Sequence, residues 1–265
     1  MDILTHMISG IAAGTVVASY SGRDIAYKTG ILLTSAAGGI IPDLDVFSLW
    51  SEFDGRIGIH FGLSKGENVY YAQYWYSHHG FFHSLFAALF IPVLLFTIIY
   101  LLKKPLRRSP DPGLKSCFKK NALILLAISA AYIIHLLEDM PTPGYTWGGI
   151  NFFWPSAHYT GGSGHIWWWN NYDLFLIISG VVLVNLILLI AGNARIKNLI
   201  PIVFSLGVIF SLVQINSRNI DFNYTSYRKD YQQLELKSKE VQKQILGEQL
   251  YSWMDNFDKK VPFNF

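Results

Sequence analysis

Cysteine is nearly missing from this sequence: Cys117 is the only one in 265 residues. No intrachain disulfide can form, and a zinc site built on thiolates is excluded. Basic residues are missing from the start. Neither Lys nor Arg occurs before Arg23, so the first residues lack the basic region of a secretory signal and are expected to belong to the mature fold. Charge is missing from four long blocks. Leu85–Leu102, Phe175–Ala191 and Ile200–Val213 carry none, and Ala122–Leu137 holds only His135 as an ionisable group. A bilayer core takes roughly 20 apolar residues per helical crossing, and with their polar or aromatic flanks these blocks reach it. Four buried helices of a soluble domain are the other reading, but four such blocks in one chain favour a membrane.

Two further apolar stretches precede these blocks. Ile3–Tyr20 has Gly10 and Gly14 in a spacing that lets helices approach closely. Ile25–Ile41 is rich in Gly and Ala and is ended by Pro42-Asp43-Leu44-Asp45. Both are short for full spans. Residues 46–77 read as a long loop with Trp50, Tyr70, Tyr71, Tyr74, Trp75 and Tyr76, and residues 141–171 as a loop rich in Gly, Pro and Trp. The last 50 or so residues turn polar, with apolar residues at Tyr227, Tyr231, Leu234, Val241, Ile245 and Leu250 in partly helical spacing. They predict an amphipathic helix on the membrane or under the loops, against a solvated tail. The expected fold is therefore all-α: a polytopic membrane bundle of about six hydrophobic helices over residues 1–215, with a polar helical tail over 216–265.

Lys and Arg collect in cytoplasmic loops. Residues 103–120 carry seven basic residues against one acid, broken by Pro105, Pro110 and Pro112. Arg195 and Lys197 mark a second basic loop, and Arg23 and Lys28 the first turn. Six crossings counted from these anchors put the N-terminus and residues 42–83 and 138–172 outside the cell membrane. Trp167-Trp168-Trp169 and Tyr172 then fit an interfacial aromatic belt. No nucleic-acid partner is expected; the bilayer is.

The chemistry concentrates in Ser77-His78-His79-Gly80-Phe81-Phe82-His83-Ser84, with three of the chain's eight histidines. Ionisable groups at a membrane entry are costly and mark functional sites. His79 and His83, four apart, would share a helical face; His78 must reach in from the turn before. His135 and Asp139 are also four apart, on one face of a span. Asp43 and Asp45 repel each other unless a cation or basic groups neutralise them. His6 is a lone histidine near a helix start. His60, His158 and His165 fall in loops, with His165 beside the Trp run a candidate substrate contact. Imidazoles and carboxylates without thiolate suit Zn²⁺, Mn²⁺ or Fe²⁺. Up to seven such groups exceed one tetrahedral zinc and suit two ions bridged by a carboxylate. Two divalent ions against Asp43, Asp45 and Asp139 leave a net positive charge, which favours an anionic substrate. The reaction a two-metal site suits is displacement at a phosphoester, such as a lipid head group.

The order His6, Pro42-Asp43-Leu44-Asp45, His78-His79-Gly80-Phe81-Phe82-His83-Ser84, His135-Leu136-Leu137-Glu138-Asp139 and a Gly-containing loop ending at Trp154-Pro155 resembles the YdjM-like family of membrane-bound metal-dependent hydrolases. The likeness covers about residues 1–160. Its pattern is an early His, Pro-Asp-x-Asp, His-Arg-Gly-x-Thr-His-Ser, and His-x-x-x-Asp before a Gly-to-Pro loop. That family is distantly similar to the zinc-dependent phospholipase C group, all-helical multi-zinc phosphoesterases. The resemblance implies metal-ligand roles for His6, Asp43, Asp45, His78, His83, His135 and Asp139. It favours His78 with His83, where helical spacing favours His79 with His83. The chain departs from the pattern at His79, where the family has Arg, and at Phe82, where it has Thr. An Arg there would bind phosphate; His79 takes that place when protonated, or joins the metal. Glu138 is a candidate proton shuttle.

The expected function is a membrane metallohydrolase of phosphoesters, with a zinc pair (manganese or iron as alternatives) at the outer face. A di-iron oxidase needs more His-x-x-His-His repeats than occur here, and an intramembrane protease needs His-Glu-x-x-His, which is absent. A non-enzymatic membrane protein with a structural metal or partner-binding site is the third reading.

Overall fold

In the computed structural model of the chain, the described residues are 1–64, 74–104, 113–143, 149–192, 197–218, 222 and 231–261. Tyr70, Tyr71, Pro105, Pro110, Pro112, Arg195 and Tyr227, singled out above, lie outside them.

Three of the helices open on a side-chain cap. Asp2 accepts from the Thr5 amide (2.8 Å) to open α1, Ile3–Ser19. Asp24 does the same for α2, Ile25–Ile40, through Tyr27 (2.9 Å). Such caps satisfy amides that the helix itself leaves free. A single turn, α3, covers Phe53–Arg56. Ser84 caps α4, Leu85–Lys103. Then come α5 (Leu114–Lys120), α6 (Ala122–Asp139), α7 (Tyr172–Ala191), α8 (Leu199–Ser217) and α9 (Tyr231–Asp258). No strand occurs among the described residues.

Among the described residues, five helical segments are long and apolar enough to cross a membrane, and α1 is a shorter apolar helix beside them. One segment differs from the sequence reading. Pro42-Asp43-Leu44-Asp45 does not end the second helix: α2 runs on into a 3₁₀ helix, Ile41–Leu49, giving a helical run of 24 residues from Ile25 to Ser48. Pro42 is tolerated because it falls in the first turn of the tighter helix, where a missing N–H removes little.

The bundle is apolar on its outside. Phe86, Leu89, Phe90, Ile99 and Leu102 of α4, and Leu206, Ile209, Phe210 and Val213 of α8, are exposed. Soluble proteins rarely present contiguous apolar surface on this scale; lipid removes the penalty. Polar groups turn inward instead, as where Asn185 Nδ2 of α7 donates to Thr15 Oγ1 of α1 (3.0 Å). In α1, α2 and α6, small residues set the spacing. A Cβ on Gly10 would run into the Ser35 carbonyl, and one on Gly39 into the His6 carbonyl. This close approach brings His6 against the end of α2.

The tail docks. Met254 of α9 is buried against Tyr172, whose hydroxyl donates to Asp258 (2.6 Å). Leu234 and Val241 pack on a cluster of Trp167 and Phe222. Trp167 is therefore fully buried, with Trp168 and Trp169 partly so. The Trp run is a packing core under the tail and not the interfacial belt its position predicts, because α9 covers the surface that lipid would otherwise wet.

Candidate metal centre

Four pieces of chain meet at one end of the bundle: the first turn of α1, the 3₁₀ helix after α2, the segment Ser77–Ser84, and the last turn of α6. The histidine segment holds its shape by backbone bonds. Gly80 N donates to Ser77 O, Phe81 N to Trp75 O, and the Tyr132 hydroxyl of α6 reaches across to Phe82 O (2.6 Å). His79 has a left-handed backbone (φ 67°), and Phe81–His83 forms a 3₁₀ turn ahead of α4. His79 and His83 thus do not share an α-helical face as their spacing predicts. A turn gathers them instead, with ring centroids 4.7 Å apart, and His78 stands 5.2 Å from His83.

Each ring is held by one nitrogen. His83 Nδ1 bonds to Asp45 Oδ2 (2.8 Å) and His78 Nδ1 to Asp45 Oδ1 (2.6 Å). His135 Nδ1 donates to the Gly39 carbonyl (2.7 Å), and His79 Nδ1 to the Gly149 carbonyl (3.0 Å). His6 Nδ1 bonds to Glu138 Oε2 (2.7 Å). A carbonyl cannot donate, so neutral His135 and His79 present lone pairs at Nε2. Holding the far nitrogen by a carboxylate or carbonyl is how proteins aim imidazoles at a metal.

The free nitrogens converge. His135 Nε2 lies 3.3 Å from His83 Nε2, and both approach Asp139 Oδ2 (3.0 and 3.3 Å). Asp43 Oδ1 is 3.6 Å from His135 Nε2 and 3.8 Å from His83 Nε2. Asp43, His83, His135 and Asp139 each offer a ligand atom within 4.8 Å of the others, a group able to hold a metal ion; His78, His79 and His83 form a second such group. His6 stacks on His135 at 3.7 Å. Its Nε2 is buried, has no hydrogen-bond partner, and lies 3.1 Å from Asp139 Oδ1. The Met1 amine also reaches that oxygen, at 2.6 Å.

Were both rings neutral, two lone pairs 3.3 Å apart would repel; a proton or a metal ion between them removes the repulsion. The carboxylates around the rings favour positive charge at this place. Burial disfavours charge on His83, yet Asp45 and Asp139 outweigh it and lift its pKa to about 10. His79 is held well below its ordinary range by burial, with His78 and His83 adding. The donor set suits a divalent ion of borderline character. His83, His135 and Asp139 are buried while Asp43 and His78 are partly open, which gives the cluster a wet side.

The seven residues expected as metal ligands, with His79 and Glu138, lie in or against this cluster. His6, Asp43, His83, His135 and Asp139 face one another. His78 and His79 adjoin them. Asp45 stands behind His78 and His83, and Glu138 behind His6. His60, His158 and His165 are exposed. Two further neighbours carry no motif. The Asn151 amide donates to the His79 carbonyl, and its buried Oδ1 has no partner. The Tyr159 hydroxyl is pushed up to about 12 by burial, with the Asp45 carboxylate adding. Loop residues like these announce themselves only once the loop is seen over the site.

No curated protein and no solved structure matches the chain. A family model does, over residues 1–218, which extends the likeness beyond residue 160 to include α7, α8 and Arg218. With every residue of the cluster and every apolar helix inside that match, the chain belongs to the YdjM inner membrane protein family.

Proposed function

We propose that this membrane protein is a metal-dependent hydrolase of phosphoesters, acting at the outer face of the cytoplasmic membrane. The observation that carries the reading is the meeting of the His83 and His135 Nε2 atoms with the Asp139 and Asp43 carboxylates, each ring fixed from behind. The basic loops on the other side of the bundle support the outward orientation.

Asp139 suits a pair of ions, zinc first with manganese or iron as alternatives. Its Oδ1 addresses His6 and its Oδ2 addresses His83 and His135. Bound divalent ions would supply Lewis acidity and water activation. The chain's residues do the rest. Asp45 fixes two imidazoles in one tautomer. Glu138, partly open at 16% side-chain exposure and bonded to His6, is placed to take and release a proton. His79, bonded through Nδ1 to the Gly149 carbonyl, stands beside His78 and His83 and is available as an acceptor on the substrate's side. Asp43 and His78 border the opening where an anion would enter.

Elemental analysis of detergent-purified protein, followed by a panel of phosphoesters that includes phospholipids, tests this. Bound zinc, manganese or iron with turnover is the expected result. Protein without metal, or full metal occupancy in both His83→Ala and Asp139→Ala, overturns it.

A further inference from the structure

A cavity of about 390 Å³ lies between α1, α6, α7 and α8, with Met1 and Glu138, neighbours of the metal centre, in its wall. Its depth follows from which residues line it. At the site end stand Glu138, Pro141, Leu174 and Ile215; at the far end stand Ala12, Val181 and Phe204. From Phe204 to Ile215 is on the order of 16 Å of helix axis. The volume lies in the range of small-molecule sites. Leu137, Val208 and Leu212 of its wall are also exposed on the outside of the bundle, so lipid can enter sideways.

The polarity is graded. Met1 and Glu138 line the mouth, and each bonds to the metal centre, the Met1 amine to Asp139 and Glu138 to His6. One turn deeper on α1, Ser9 lines the cavity, and its buried Oγ has no hydrogen-bond partner. A helical serine usually returns its hydroxyl to a carbonyl of its own helix, as Thr15 does here with Ala12. Ser9 does not, and an unmet buried donor calls for an acceptor from elsewhere. Ser211 of α8 adds a second, half-buried hydroxyl, and the other residues toward the far end are apolar. Charged mouth, serine hydroxyls, apolar remainder: this is the order of head group, ester carbonyl and hydrocarbon in a membrane lipid.

We infer that this cavity binds one acyl chain of a phosphorylated membrane lipid, with its ester carbonyl at Ser9 and its phosphate at the His/Asp cluster. The inference rests on the proposed hydrolase reading and names its substrate class. The cavity selects for the tail, the cluster for the head.

The test uses the full-length, metal-loaded chain in phosphatidylglycerol vesicles doped with a phosphatidic acid whose acyl chain carries a diazirine. After irradiation, adducts are mapped by mass spectrometry. Adducts should concentrate on Ile178, Val181 and Phe204. Overfilling the shaft with Ser211→Phe, or with Ile178→Trp from the opposite wall if the first variant does not insert, should cut cavity adducts about tenfold. Ile202→Phe, on the outer surface of α8, should leave them unchanged. Ser9→Ala should lower adducts from ester-linked but not from ether-linked phosphatidic acid. Adducts spread evenly over outward residues such as Leu206 and Ile209, or undiminished by both filling variants, overturn the inference. Metal content and phosphoester turnover are read on the same preparation. Turnover without cavity adducts defeats this inference alone; cavity adducts without metal or turnover defeat the hydrolase reading alone.

Discussion

Two buried polar clusters lie at the same end of this bundle, and they are built on opposite plans. Around Asp173, at the start of α7, the carboxylate is fully answered. Arg218 grips the carboxylate through Nε (3.2 Å) and Nη2, Gln214 adds a bond to Oδ2 (3.0 Å), and the Asp173 amide donates to Gln242 of α9 (3.0 Å). Arg218 Nη1 also donates to Asn171 Oδ1 (2.9 Å). One cation meets one anion in a fork, and Gln214 and Asn171 complete it, with Asn170 Nδ2 beside it left without a partner among the described residues. Around Asp139 no such fork forms: the Nε2 atoms of His83 and His135 face each other at 3.3 Å, His6 Nε2 lies 3.1 Å from Asp139 Oδ1, and the Met1 amine, not a Lys or Arg of the described residues, is the cation on that carboxylate. In a medium of low dielectric both surplus and deficit are expensive. A saturated network fastens helices together. An unsaturated, convergent one is kept for something that arrives.

That contrast can be broken or sharpened by mutation. The largest expected effect is at the open cluster. His83→Ala and Asp139→Ala should lose bound metal and all hydrolysis while the protein still inserts and keeps its helix content, measured by elemental analysis, activity and circular dichroism. Arg218→Ala should do the reverse. It strands a buried carboxylate, which costs about 3–5 kcal/mol, so the thermal midpoint in detergent should drop and proteases should cut within α9, with metal content unchanged. If Arg218→Ala loses metal as readily as His83→Ala does, the two clusters are one unit and the contrast fails. Asp45→Asn is subtler. The rings keep a partner but lose its charge, and metal affinity should weaken about 10- to 100-fold in a chelator titration. The smallest effect should come from Thr15→Val, which removes the acceptor of Asn185 in mid-bundle. A loss of about 0.6 kcal/mol, with metal and activity intact, would show that polarity inside the bundle is not in itself a site.

Much of the fold was legible because the bilayer enforces simple rules. Charge-free blocks at Leu85, Ala122, Phe175 and Ile200 became spans, and Gly10 did become a point of close helix approach. The second span was read too short. Pro42 looks like a stop in sequence, and only the tighter winding of residues 41–49 shows how the run continues. At the site, residue types were readable and geometry was not. Helical spacing suggested that His79 and His83 pair across a turn of helix. The left-handed backbone at His79, which spacing cannot reveal, gathers them by a different route. The roles of Asn151 and Tyr159 depend on how a distant loop folds back, and the fate of Trp167 depends on a tail more than 60 residues further along the chain. Patterns of period and charge record what each segment needs from its solvent. They do not record which other segment will stand in for that solvent.

The winding of residues 41–49 has one more result. In a helix of 3.0 residues per turn, positions two apart differ by about 120° in bearing, where an α-helix would set them almost back to back. Asp43 and Asp45 therefore act as the two jaws of a caliper on one ring: Asp45 grips His83 at Nδ1, and Asp43 stands off its Nε2 by 3.8 Å. The gap between the jaws is fixed by backbone pitch and not by side-chain choice. Unwinding this short rod to ordinary α geometry, with every side chain unchanged, would open the caliper and lose the calibration of the site.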